Sequence, residues 1–236
     1  MTLKGRTAVV TGGTRGIGRA TAAYLLREGV AVAICGRSSA AVDSALADLR
    51  HSGGGRICGI DADVSKLDDV RRLFAFADRE LGGLDILINN AGVAILRSVA
   101  EMEPGDWQRS IGTNLTGVFY CSREALTRFQ HRGGGFIVNI GSLLGKTAVA
   151  GGAAYCASKF GLEGFSEAML LDYRRENIGV CTIAPGSVDT ELFGAPAGGD
   201  WKIRPEDVAR VVIAVLTMPP RTLISRVEMR PLKPSK

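Results

Sequence analysis

Residues 155–159 read YCASK, a phenol and an ammonium four residues apart with small residues between them. On a helix this spacing sets Tyr155 and Lys159 on one face, about one turn apart. A free phenol has a pKa near 10 and is rarely ionised at neutral pH. A neighbouring ammonium favours the tyrosinate and is expected to lower that value. Tyr155 would then give a proton to a carbonyl oxygen during reduction, or take one from an alcohol during oxidation. By itself the pattern also fits a solvated helix face. The elements around it must decide.

Those elements alternate. Apolar runs RTAVVT, VAVAIC, RICGID, LDILIN, GFIVNIG and IGVCTIA are separated by helical patterns. Helices are predicted from about Arg15 to Glu28, up to about His51, over Lys66 to Leu81, through LTGVFYCSREALTRF, and from about Tyr155 to Arg175. RPEDVARVVIAVL reads as a last helix, and SRVEM as a short final strand. Short, almost wholly apolar strands predict a sheet covered on both faces, and the βαβ alternation predicts parallel strands. The expectation is one α/β domain over 1–236, a Rossmann-type doubly wound sheet, with no repeat or linker.

The first strand runs into TGGTRGIG, which puts Gly12, Gly16 and Gly18 at the strand-to-helix turn. Glycines there permit a tight turn and a close approach of the backbone to a pyrophosphate, beside free N–H groups of the helix. The spacing is GxxxGxG and departs from the common GxGxxG fingerprint.

Together with YCASK, this glycine pattern resembles the short-chain dehydrogenase/reductase family. NNAG at 89–92, DADVS with Asp63 and Val64, NLTGVF from Asn114, NIGS ending at Ser142 and APGSVDT at 184–190 agree in family order over nearly the whole chain. The resemblance implies that Gly12, Arg15, Gly16, Ile17 and Gly18 line the pyrophosphate and ribose of a nicotinamide cofactor. It implies Asp63 and Val64 at the adenine, and Asn90, Ala91 and Gly92 near the adenosine ribose. Pro185, Gly186, Val188 and Thr190 would hold the nicotinamide. It further implies that Ser142 steadies the substrate oxygen, that Lys159 also binds the nicotinamide ribose, and that Asn114 holds a water in a proton relay.

Charge bears on the choice of cofactor. An acid at the end of the second strand would bond the ribose 2′-hydroxyl and repel a 2′-phosphate. Here Gly36 stands where the acid is expected, followed by Arg37 and Ser38, with Arg15 on the facing loop. Arginine pairs well with phosphate, so NADP(H) is expected over NAD(H).

The remaining features mostly exclude. Charged residues are 22% and apolar residues 46% of the 236, an ordinary globular composition. No apolar run reaches the roughly 18 residues a membrane helix needs. The start lacks a secretory pattern, and five scattered cysteines without CxxC spacing fit reduced thiols and a cytoplasmic location. With only two histidines, a metal site is not expected. The net charge of +5 is spread along the chain, which argues against nucleic acid as a partner. Cys156 reads as a small helix residue, since no histidine lies near it in sequence. Glu163, Glu167 and Asp172 read as the polar side of the same helix.

The loop 185–205 is short for the family, and its Leu192, Phe193 and Trp201 read equally as an apolar lid or as packing residues. The basic tail 230–236 departs from the family pattern; the resemblance still implies a homo-oligomer, dimer or tetramer. The expected activity is interconversion of a small-molecule carbonyl and alcohol. Its substrate could be a 3-oxoacyl thioester, a steroid-like or cyclic ketone, a sugar or a small keto compound. A sensor or scaffold that binds NADP without turnover is the alternative; it would be marked by loss of Tyr155, Lys159 or Ser142, and all three are present.

Overall fold

The computed structural model describes residues 2–194 and 198–233. Residues 195–197 of the substrate-side loop and 234–236 of the basic tail lie outside the described residues. The strands are β1 (Thr7–Val10), β2 (Ala31–Gly36), β3 (Ile57–Asp61), β4 (Ile86–Asn89), β5 (Gly135–Ile140), β6 (Ile178–Pro185) and β7 (Arg226–Met229). All pairings are parallel, in the order β3-β2-β1-β4-β5-β6-β7. The helices are α1 (Gly16–Arg27), α2 (Ser39–Leu49), α3 (Leu67–Leu81), α4 (Pro104–Ile111), α5 (Gly117–Arg132), α6 (Ala153–Tyr173) and α7 (Pro205–Leu216).

Successive strand side chains point to opposite faces. Val10, Ile34, Ile88 and Ile140 therefore pack on one side with Leu25 and Leu26 of α1 and Val208 and Val212 of α7. Val9, Ala33, Leu87 and Ile137 pack on the other with Leu73 and Phe74 of α3, Phe129 of α5 and Met169 of α6. Burial on both faces is why these strands carry almost no polar residues. The doubly wound parallel sheet read from the sequence is the one found, including the short strand in SRVEM, which pairs with β6.

One stretch differs. The helix expected through 115–129 starts at Gly117, and a π-helical segment, Gly112–Thr116, joins it to α4. α4 escaped the sequence reading. Its Pro104 and Asp106 are ordinary helix-start residues, but it is eight residues long and buries only Ser110 fully, so it shows little apolar period.

The strand order reverses between β1 and β4, which opens a crevice at the carboxyl ends of the strands. The opposite rim is clamped by Asp85, just before β4. Its carboxylate accepts from the Thr7 N–H (2.9 Å) and hydroxyl (2.9 Å), and pairs with Arg6 (3.1 Å) and Arg132 (3.3 Å). Burial pushes the Asp85 pKa up, but the Thr7 hydrogen bonds and the two arginines outweigh it, and the net shift is downward. A carboxylate whose pKa is depressed by folding stabilises the fold above its unfolded value, and loses that contribution as pH falls through the folded one. Asp85→Asn should therefore cost about 2 kcal/mol near pH 7. The gap from the unchanged protein in urea unfolding should narrow below about pH 4.

Candidate active site

The crevice is a cleft of about 1130 Å3 whose wall begins at the glycine loop and ends at α6. At the loop, Gly12 (φ 63°) and Gly16 (φ 53°) adopt left-handed backbone. A Cβ at Gly12 would come within 2.9 Å of Ala91 Cα, so the loop lies directly on the end of β4. α1 has no side-chain cap and no acid in its first turn, which leaves its N–H groups and positive dipole end toward the cleft. This donor set fits a pyrophosphate. Thr11 locks the neighbouring strand ends, its Oγ accepting from the N–H groups of Asn90 and Ala91 at 3.0 Å each.

Of the residues singled out from the sequence, Gly12, Arg15, Gly16, Ile17, Arg37, Asp63 and Val64 line the cleft. So do Asn90, Ala91, Gly92, Ser142, Tyr155, Lys159, Pro185, Gly186, Val188 and Thr190. Three do not. Gly18 lies behind the loop, where a Cβ would meet Gly12 O at 2.3 Å. Ser38 caps α2, accepting from the Ala41 N–H. Asn114, fully buried in the π-helical segment, spends its amide internally: it donates to Val93 O (2.9 Å) and Ser158 Oγ (3.0 Å) and accepts from the Val93 N–H (2.8 Å).

Two lining residues also hold partners of their own. The Asp63 carboxylate accepts from the Ser65 N–H and hydroxyl. Arg15 pairs with Glu191 at 2.8 Å across the mouth, both side chains well exposed, so the pair is weak and open to exchange. At the end of β2, Gly36 leaves room for Thr14, whose Cγ2 would sit 2.6 Å from a Cβ there. Any side chain at position 36 would displace Thr14, so the missing acid is a matter of space as well as charge.

At the other end, α6 can lie close because its neighbours are small. Gly145 faces it at contact distance, and Gly161 makes room for Leu115. Tyr155 is 3% exposed. Ser142 stands near enough to the Tyr155 hydroxyl to pull the phenol's pKa down, and the Ser142 Oγ accepts from the Leu144 N–H at 3.1 Å. The Phe193 ring meets the phenol edge-on, with centroids 5.6 Å apart. Lys159 is 6% exposed, and its Nζ donates to Ile140 O at 2.8 Å and stands 5.9 Å from the Tyr155 ring centroid.

The electrostatics correct one expectation. Burial pushes the Tyr155 phenol above its ordinary pKa, against the pull of Ser142, so it is held neutral. Burial also brings Lys159 down to about 8, with the Glu163 carboxylate opposing. Lys159 therefore places its charge beneath the phenol without ionising it.

Sequence reading missed other parts of the site. Glu163, read as solvent-facing, has a side chain only 14% exposed behind Lys159. Leu143, Leu144 and Val149 line the substrate end of the cleft together with Leu192, Phe193 and Trp201. Arg230 and Pro231 reach it from beyond β7. Buried Cys35, at about 11, and Cys181, at about 12, are held as neutral thiols mainly by desolvation. Among the described residues, no group of three or more His, Cys, Asp or Glu is placed to hold a metal ion. Likewise no helix there is long and apolar enough to cross a membrane.

The short chain dehydrogenase family model matches residues 6–197. The chain is 33% identical over 232 residues to 2-(S)-hydroxypropyl-CoM dehydrogenase 3 of Xanthobacter autotrophicus, covering 91% of each. It is 37% identical over 203 residues to a 3beta-hydroxysteroid dehydrogenase of Mediterraneibacter gnavus, covering 85% of this chain and 72% of the relative. Among solved structures it is similar to a metagenomic short-chain oxidoreductase in complex with NADP, with TM-score 0.87 and 31% identity over 99% of this chain and all of the other. With sheet, cleft and relatives in agreement, the chain belongs to the short-chain dehydrogenase/reductase family and is an oxidoreductase acting on a hydroxyl or carbonyl group.

Proposed function

We propose that this enzyme interconverts a ketone and its alcohol with NADP(H), using Tyr155 as the proton donor and acceptor. One observation carries the reading: Tyr155, Ser142 and Lys159 meet on the wall of a cleft whose far end holds the glycine loop and Arg37. The cofactor, when bound, supplies or accepts the hydride.

The chain's own residues do the rest. The glycine loop and the α1 N-terminus hold the pyrophosphate, and Arg37 and Thr14 receive a 2′-phosphate. Arg15 leaves Glu191 for the cofactor. Pro185, Gly186, Val188 and Thr190 flank the nicotinamide end. Lys159 donates to the nicotinamide ribose and keeps a positive charge under the phenol. Ser142 donates to the substrate oxygen, where negative charge develops during reduction. Tyr155 then passes its proton to that oxygen. Asn114 acts indirectly, tying the Val93 backbone to Ser158 and so fixing the depth of α6.

The apolar wall of Leu143, Leu144, Val149, Leu192 and Phe193 favours a ketone with an apolar skeleton and excludes water around the reacting carbon. Hydroxysteroid dehydrogenases among the relatives, and a polyketide ketoreductase with NADPH among the structural neighbours, support this substrate class. The reading includes a cytoplasmic location, in keeping with free thiols at all five cysteines. It also includes a homo-oligomer, supported by exposed Phe119, Phe160 and Leu171 on α5 and α6.

NADPH consumption across cyclic, steroid-like and short-chain ketones and 3-oxoacyl thioesters tests the proposal. Tyr155→Phe should lower kcat/KM by about 10²- to 10⁴-fold while NADPH binding stays intact, and near-normal turnover would remove the phenol from its role. Arg37→Asp should weaken NADPH about tenfold or more and leave NADH nearly unchanged; an equal effect on both would contradict the NADP assignment.

A further inference from the structure

Tyr155 and Lys159 continue on α6 to a third residue at the same spacing, Glu163. Helical geometry puts all three on one face. Beside Glu163, the chain leaving β5 is unusually close. A Cβ at Gly141 would lie 3.3 Å from Glu163 Oε1, and one at Gly145 would lie 3.2 Å from Glu163 Cγ and 3.0 Å from Lys159 O. The carboxylate is thus pressed toward the end of β5, where Ile140 O takes the lysine's hydrogen bond.

We propose that Glu163, steadied by Arg226 of β7, is a positioning residue that keeps Lys159 an ammonium ion beneath the reacting phenol. The inference rests on the role given to Lys159 in the proposed function.

The argument is one of charge placement. Glu163 Oε2 pairs with Arg226 Nη1 at 3.4 Å, while its Oε1 is buried without a hydrogen-bond partner. Burial pushes the Glu163 carboxyl above its usual range; Arg226 and Lys146 oppose that shift and favour the charged form. Arg226 Nε lies 3.7 Å from Glu228 Oε1, and Glu228 also takes Lys146 (2.6 Å) and Arg230 (3.3 Å). On the β6 side the facing group is Cys181, a neutral buried thiol. On α6 itself Tyr155 is neutral. The region thus sets the cations Lys146, Arg226, Arg230 and Lys159 against the carboxylates Glu163 and Glu228, and Glu228 is committed to its own cations.

Among the described residues Glu163 is the charge that acts on Lys159, opposing the burial that favours loss of the proton. Take it away, and the burial that disfavours the ammonium goes unopposed by that carboxylate. Such an ammonium gives up its proton more readily. A merely structural role for Glu163, pairing Arg226, would leave the lysine's titration where it is.

The test follows the Lys159 side chain in the free, full-length enzyme by NMR of 13C-labelled lysine, with its signal identified by loss in Lys159→Arg. In the unchanged protein the midpoint should lie near 8. In Glu163→Gln, and in Glu163→Met, which buries no amide, it should fall by roughly one unit, a tenfold easier loss of the proton. Glu163→Asp should restore most of the shift. The alkaline limb of kcat/KM for NADPH should move with the midpoint. A midpoint that stays put in both the Gln and Met variants overturns the proposal, whatever happens to turnover. A midpoint that moves in an enzyme that reduces no carbonyl supports this inference and refutes the proposed function instead.

Discussion

An ammonium ion sunk to 6% exposure at the end of a parallel sheet is the constraint around which the rest of this protein is arranged. Taking such a group out of water is costly unless it finds a hydrogen bond and an opposing charge. Ile140 O supplies the first, and Glu163 stands behind the lysine for the second. Both depend on α6 lying hard against the β5 exit, which Gly141 and Gly145 permit. The phenol sits at the other side of that charge, sealed by Phe193 and kept neutral by its burial. In the proposed reaction that neutral phenol gives up its proton when a substrate oxygen arrives to accept it.

The same economy of position runs along the strand ends. Asn89 donates to Asn139 (2.9 Å) and Ser122 (3.2 Å), and Asn139 donates to Ser166 (2.8 Å), so β4, β5, α5 and α6 share one buried polar chain. Thr11 and Asn90 join β1 to β4 in the same way, and Asn114 joins β4's exit to α6. Apart from the buried Asn89 Oδ1, which has no hydrogen-bond partner, these groups are paired, and their directionality fixes geometry that apolar packing leaves loose. The cleft is therefore shaped by hydrogen bonds among strand ends, with the apolar layers of the sheet holding those ends at fixed spacing.

Much of this is legible in the residues. Strands such as AVAICG and ILIN announce a sheet buried on both faces, and Gly12 and Gly16 of TGGTRGIG stand where the chain turns with positive φ. YCASK does form one face of a helix. What stays hidden depends on contacts made far away in sequence. Glu163 looks like solvent-facing polarity because its burial is decided by Gly141 and Gly145 in another segment, and by an arginine 63 positions later. The partners of Asn114 are hidden in the same way, because the π-helical segment turns its amide onto Val93 and Ser158. The direction of the Tyr155 shift is hidden for a related reason: spacing reveals the neighbouring cation, whereas desolvation is a property of the assembled site.

The most direct measurement of the central claim is transfer of label from [4-2H]NADPH to the carbonyl carbon of a ketone, followed by mass spectrometry of the alcohol. The account predicts one deuterium at that carbon with the unchanged enzyme, from a single face of the nicotinamide. With Tyr155→Phe it predicts almost none, although NADPH still binds. Deuterium appearing equally fast in the variant, or no labelled alcohol from any ketone that occupies the cleft, would contradict it.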